Sequence, residues 1–188
     1  MAVDLDQLAA FVGKWEGFRS RVYLDAVGVP TIGYGETRHD IIERYRKTGI
    51  TEWEAKRLLK QRLADFAYSV DGVVKVPLSP EQHLALTSLA YNIGTGAFAK
   101  STLVRVLNQG QYGAAADQFL RWDRAGGATL PGLTNRRKAE RSIFLEAEKR
   151  KRWEARLERV RADAAKHGWT LRRRIYARTL KALIGART

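Results

Sequence analysis

The chain of 188 residues reads as a mainly helical α+β protein. Three observations predict this class. Apolar residues recur at helical spacing through most of the first 144 residues. One β-prone, turn-rich stretch, RVYLDAVGVPTIGYG, interrupts them near the N-terminus. From residue 149 the composition turns charged and helix-prone. The expected organisation is a body over residues 1–148, large enough for one core, and a basic amphipathic helical extension over 149–188.

Leu5, Leu8, Ala9, Val12 and Trp15 lie on one helical face behind a possible Asp4 N-cap, so the first helix ends near Glu16 and Gly17. Strands over Arg21–Asp25 and Thr31–Tyr34 follow, joined by a turn over Ala26–Pro30, with Gly33 and Gly35 allowing positive φ or close backbone approach. Thr51 and Glu54 form a capping box opening a helix to about Phe66, with a continuation toward Val74. Ser79, Pro80 and Gln82 open another to about Tyr91. Asn92-Ile93-Gly94-Thr95-Gly96 breaks the pattern, a short helix runs from Ser101 to Gly110, and another spans Ala114–Trp122 before Gly126-Gly127. Arg136 and Glu140 then share a helix face at i and i+4, where a local ion pair is the better reading.

Charge and composition exclude several functions. There is no cysteine, hence no disulfide or thiol nucleophile, and His39, His83 and His167 are too scattered to suggest a metal centre. No phosphate-binding loop or dinucleotide fingerprint occurs, so no cofactor is expected. The N-terminus carries Asp4 and Asp6 and lacks a basic region or unbroken apolar run, which predicts synthesis without a signal peptide or membrane anchor. The net charge is +14, but residues 149–188 hold fourteen Lys/Arg against three acids, net +11, leaving the body twenty against seventeen, net +3.

With thiols and metals set aside, carboxylates and hydroxyls must carry any chemistry. Glu16 falls at a helix C-terminus, whose partial negative charge disfavours an ionised carboxylate and suits a proton donor. Asp25 ends a strand and Thr31 follows a Gly-x-Pro turn, so a helix end and two strands can bring three oxygens together. Each also has a plain structural reading: a surface glutamate, a turn-capping aspartate.

Three blocks, EGFRSRVYLDAVGVPTIGYG, SLAYNIGTGAFAKSTLVRVLNQGQY and FLRWDRAGGATLPGLTNRRKAERSIF, resemble the phage-type lysozymes, glycoside hydrolases of the T4 and P22 endolysin kind. They cover residues 5 to about 148 in the family's order, and eight residues separate Glu16 from Asp25 while five separate Asp25 from Thr31, the family's arrangement. The resemblance implies a two-lobed fold with the cleft between a small hairpin lobe and a helical lobe. It also implies a muramidase cutting the β-1,4 bond between N-acetylmuramic acid and N-acetylglucosamine in peptidoglycan. Glycoside hydrolysis needs an acid to protonate the leaving oxygen and a second carboxylate beside the developing oxocarbenium ion. On that basis Glu16 is the acid, Asp25 the base, and Thr31 holds a water for an inverting displacement; inverting pairs stand about 6.5 to 9.5 Å apart and retaining pairs about 5 to 5.5 Å. Tyr34, Asn92, Gly94 and Arg137 are weaker candidates for lining the cleft, with packing and turn formation as their alternative.

The chain departs from the family twice. Glu36 follows Gly35 where many members have histidine, giving a third carboxylate that either pairs with Arg38 or modulates a neighbouring carboxylate. The tail beyond Glu148 is absent from short members. There Leu171, Ile175, Tyr176, Leu180, Leu183 and Ile184 share one helical side, flanked by Arg172, Arg173, Arg174, Arg178 and Lys181. Anionic lipopolysaccharide or phospholipid is one candidate partner of residues 149–188; the alternatives are a solvated helix packing on the body or on a partner subunit and, less favoured, nucleic acid contacted through Trp153, Trp169 and Tyr176. A free endolysin would be made in the host cytoplasm, need a holin-type pore and act in the periplasm. A virion-borne lysozyme, or a non-enzymatic wall- or membrane-disrupting protein working through the tail, are the rivals.

Overall fold

Asp4 opens the first helix by accepting, at Oδ1, the backbone N–H groups of Asp6 and Gln7, and α1 then runs Leu5–Glu16 with Leu8, Ala9 and Val12 buried. The computed structural model describes residues 3–25, 27–168 and 170–185; Ala26 of the expected turn, Trp169 and the Arg172 side chain lie outside the described residues. Two compact units divide the chain, Met1–Phe144 and Leu145–Thr188.

In the first unit, β1 (Arg19–Leu24) pairs antiparallel with β2 (Pro30–Gly33), setting Tyr23 opposite Thr31 and Leu24 opposite Pro30, with the register shifting between Arg19 and Tyr23. The strands start and end a residue or two earlier than the sequence suggested, which leaves Asp25 in the connecting turn. Gly33 has φ +65°, and a Cβ there would sit 3.1 Å from that of Ala55, so both the conformation and the approach of the helix carrying Ala55 demand glycine.

After α2 (His39–Tyr45), the capping box of Thr51 and Glu54 opens α3, which continues from Glu52 to Val73. Nothing in LADFAYSVDGV interrupts it until Gly72, so helix and connector are one piece, roughly 33 Å long. Leu8 and Val12 of α1, Ile32 of β2, Ile42 of α2 and Leu58, Leu59 and Leu63 of α3 form the core around the hairpin. A second box, Ser79 with Gln82, opens α4 (Pro80–Ile93), whose residues from Gln82 to Ala90 are all buried. Buried His83 ties it back to α3, its Nε2 2.8 Å from Asp71 Oδ1.

The break expected at Asn92–Gly96 is shorter than its composition implied: Gly94 closes α4 and α5 (Thr95–Ala99) starts at once. Short helices α6 (Thr102–Leu107) and α7 (Tyr112–Gln118) follow, the latter tightening into a 3-10 turn at Phe119–Arg121. Gly126 and Gly127, both at positive φ, turn a two-residue hairpin of β3 (Arg124–Ala125) and β4 (Ala128–Thr129) that the sequence reading missed. Finally α8 (Pro131–Phe144) packs on α4, and Phe144 meets Phe119 at 5.5 Å between ring centroids.

The second unit is α9 (Glu146–His167) followed by α10 (Leu171–Gly185). Asp163 pairs with Arg173, and Arg156 covers the Tyr176 ring, so contacts move backward along α9 as they move forward along α10, and the two helices are antiparallel. Leu157, Ala164 and Leu180 are buried in this unit. Among the described residues no helix is long and apolar enough to cross a membrane.

Candidate active site

Glu16 is the last residue of α1, and its Oε1 accepts a hydrogen bond of 2.7 Å from Arg136 Nη1 of α8, 120 positions away. The glutamate side chain keeps 23% of its surface accessible while Arg136 keeps 4%. The same guanidinium donates from Nε to Glu140 Oε1 at 3.2 Å, and Ser88 Oγ of α4 donates to that oxygen at 2.6 Å. The local Arg136–Glu140 pair expected from helical spacing therefore exists. What spacing could not reveal is that Arg136 also reaches the helix end carrying Glu16.

Glu140 is completely buried, which pushes its carboxyl up; Arg137, Ser88 and Arg136 oppose that. Arg137 Nη1 lies 3.2 Å from Glu140 Oε2, close enough to pair as charges although neither atom makes a directed hydrogen bond. Burial lowers the Arg137 guanidinium to about 10. Arg137, one of the weaker candidates for the cleft, is 0% exposed and braces Asn92, whose Oδ1 accepts from Arg137 Nη2 at 2.9 Å. Asn92 itself is exposed, and Gly94 serves as the joint between α4 and α5.

Asp25 is held differently. Its Oδ1 accepts the backbone N–H groups of Val27 at 3.0 Å and Val29 at 2.8 Å, while its own N–H donates to Val29 O at 3.0 Å. Among the described residues no group donates to Oδ2. Thr31 is 3% exposed, and its hydroxyl donates to the same Val29 carbonyl at 2.9 Å. With that hydrogen committed, Thr31 Oγ1 can only accept from a further partner. The turn thus brings Asp25 and Thr31 onto one residue, Val29.

Tyr34 is mostly buried. Its ring packs beside Gly13 and Phe18, and its hydroxyl donates to Glu52 Oε1 of α3 at 2.9 Å. Burial and then Glu52 push the phenol up, and Tyr34 braces the hairpin against α1 and α3. Tyr91, which sequence reasoning passed over, links these parts. Its hydroxyl donates to Tyr34 O at 3.3 Å, and its ring lies under Arg62, which donates to Gly35 O at 3.0 Å. Burial, followed by the negative charge of Glu16, pushes Tyr91 up to about 12 and keeps it protonated.

Glu36 takes the plain reading offered for it. Arg38 donates to Oε1 from Nε at 3.1 Å and to Oε2 from Nη2 at 2.9 Å, and the backbone N–H groups of Thr37 and Arg38 also donate to Oε1. Burial pushes this carboxyl up, but the bonds and charge of Arg38 outweigh it and hold the group below its ordinary range. Among the described residues no three His, Asp or Glu side chains gather as a metal site.

The Phage lysozyme family model matches residues 13–140. The endolysin of Salmonella phage P22 is 43% identical over 131 residues, which are 69% of this chain and 89% of that one. The endolysin of Bacillus phage B103 is 38% identical over 142 residues, covering 73% of this chain but only 52% of its own length. A crystal structure of a P22 lysozyme mutant superposes with a TM-score of 0.70 at 38% identity, covering 78% of this chain and 99% of that one. The chain belongs to the phage lysozyme family of glycoside hydrolases.

Proposed function

We propose that this lysozyme is a muramidase that cleaves the β-1,4 bond between N-acetylmuramic acid and N-acetylglucosamine in peptidoglycan, in the lysis of a bacterial host. Glu16 protonates the leaving oxygen, and Asp25 with Thr31 holds the attacking water. The observation that carries the reading is the contrast in hydrogen bonding at the turn. Asp25 Oδ1 is committed to two backbone N–H groups and Thr31 has given its hydrogen to Val29, so a water there would donate to both Asp25 Oδ2 and Thr31 Oγ1. Both its hydrogens are then occupied, and a lone pair is left for the sugar carbon. Such a water attacks from the face opposite the leaving group, which gives inversion.

Glu16, fixed by Arg136, supplies the second carboxyl. Glu16→Gln is expected to lower soluble muropeptide release by about a thousandfold, within the range of general acid catalysis. Release at the wild-type rate would sink the enzymatic assignment. An anomer-resolved assay of the first product tests the water: net retention would remove Thr31 from the proposed role. Residues 149–188, with net +11, bring the enzyme to the anionic envelope, and action on the wall takes place in the periplasm.

A further inference from the structure

The tail's charge is not spread evenly over its two helices. In α9 four of the five acids are already paired: Glu146 with Lys149, Glu148 with Lys151, Glu158 with Arg161, and Asp163 with Arg173 and His167. Helix α10 contains no acid, and among the described residues none pairs with Arg174, Arg178 or Lys181. These three stand at i, i+4 and i+7, on one edge of the helix, and all are exposed. With Arg161 they rim a groove of about 420 Å³ between α9 and α10, floored by Leu157 and Ala177. Arg173 points elsewhere, closing the hairpin onto Gly168 O and Asp163.

Next to these cations in the helix, Leu171 is 75% exposed and Ile175 57% exposed. Bare aliphatic side chains next to unpaired guanidinium groups do not suit a free anion in water, and they do suit the headgroup boundary of a membrane. Tyr176 points the same way: one face of its ring is covered by Arg156 at 5.1 Å and its hydroxyl is buried, which leaves less of it for stacking on a nucleic-acid base.

We infer that the α9–α10 groove is a binding site for the phosphate headgroups of anionic membrane lipids, with Arg174, Arg178 and Lys181 on the phosphate and Leu171 and Ile175 inserted among the acyl chains. This rests on the envelope-directed role proposed for the tail and assigns it to one face. Each cation near an anionic surface strengthens attachment roughly fivefold. The full-length R174Q/R178Q/K181Q variant is therefore expected to bind phosphatidylcholine vesicles containing phosphatidylglycerol about a hundredfold more weakly than wild type in a sedimentation assay. R174K/R178K should stay within a few-fold of wild type, and L171S/I175S should lose vesicle binding while keeping its affinity for duplex DNA. Circular dichroism checks that the helices persist, and muropeptide release from purified peptidoglycan, which has no lipid, should be unchanged in every variant.

Equal binding by wild type and R174Q/R178Q/K181Q would overturn the groove while leaving the tail's envelope role standing. A wild-type chain that ignores anionic vesicles would overturn both. Tighter binding of duplex DNA than of vesicles at physiological salt, undisturbed by L171S/I175S, would make the face a nucleic-acid surface instead.

Discussion

Glu16 and Asp25 are both carboxylates at the ends of secondary structure, yet the protein holds them by opposite means. Asp25 is fixed by its own turn, through N–H groups two and four residues ahead. Glu16 is fixed by a residue 120 positions away, and that residue is itself clamped by buried Glu140 and Ser88. One carboxylate is therefore set by local backbone geometry, the other by the packing of α1, α4 and α8 together. Disturbance at Asp25 should stay in the turn, whereas disturbance at Glu16 should spread into the stability of the whole first unit.

Removing Arg136 is the strongest way to break this contrast. Arg136→Met takes one cation from Glu140, which is 0% exposed, and leaves Ser88 and the less well aligned Arg137 as its partners. Loss of one partner of a buried pair costs about 3 kcal/mol or more, which in a domain of this size lowers Tm by roughly 6 to 12 °C. It also frees the Glu16 side chain, and displacement by about 1 Å can cost on the order of a hundredfold in rate. Calorimetry and muropeptide release should fall together, and kcat should suffer more than KM. Arg136→Lys keeps the charge without the three-way fork and should recover part of the stability but little of the rate. A variant with unchanged Tm would show that Glu16 does not depend on the buried cluster.

Thr31→Val tests the other half, where a local effect is expected. The substitution keeps the shape and removes one hydroxyl that donates to Val29 O, at a cost of about 1 kcal/mol. If the hydroxyl also holds water, kcat should drop by about a hundredfold with KM nearly unchanged, and Thr31→Ser should restore most of it. A fall in Tm with no loss of kcat would reduce Thr31 to a brace for the turn.

The same division between near and far explains what the sequence disclosed. Asp4, Thr51 with Glu54, and Ser79 with Gln82 act within three residues, so the starts of α1, α3 and α4 were readable. The spacing of Glu16, Asp25 and Thr31 was readable as a pattern, and the Asp25–Thr31 turn follows from its own residues. The role of Arg136 was not readable, because helical periodicity finds Glu140 four residues on and carries no record of α1. Tyr91 was passed over for the same reason; its hydroxyl finds a partner in Tyr34 O, 57 positions away. For Tyr34 and Arg137 the burial was not readable either, since a polar tip in a motif says nothing about which way burial turns it. The small β3–β4 hairpin escaped because two-residue strands have no period to detect.

Glu36 should give the smallest effect and the sharpest test of how separate the two carboxylates are from a third. Its charge is matched by Arg38 through paired side-chain bonds, so Glu36→Gln should leave the acid limb of the pH-rate profile in place. A shift of that limb would instead make Glu36 a modulator of Glu16 or Asp25. Stability should respond in a definite direction. The folded carboxyl lies below its ordinary range, so its contribution is fully present above the usual carboxylate value and is lost as pH falls through the lower folded value. The gap in Tm between wild type and Glu36→Gln should therefore be widest near neutral pH and narrow on acidification below about 4, the range of an unperturbed glutamate. A constant gap would mean that Glu36 supports the turn by packing rather than by charge.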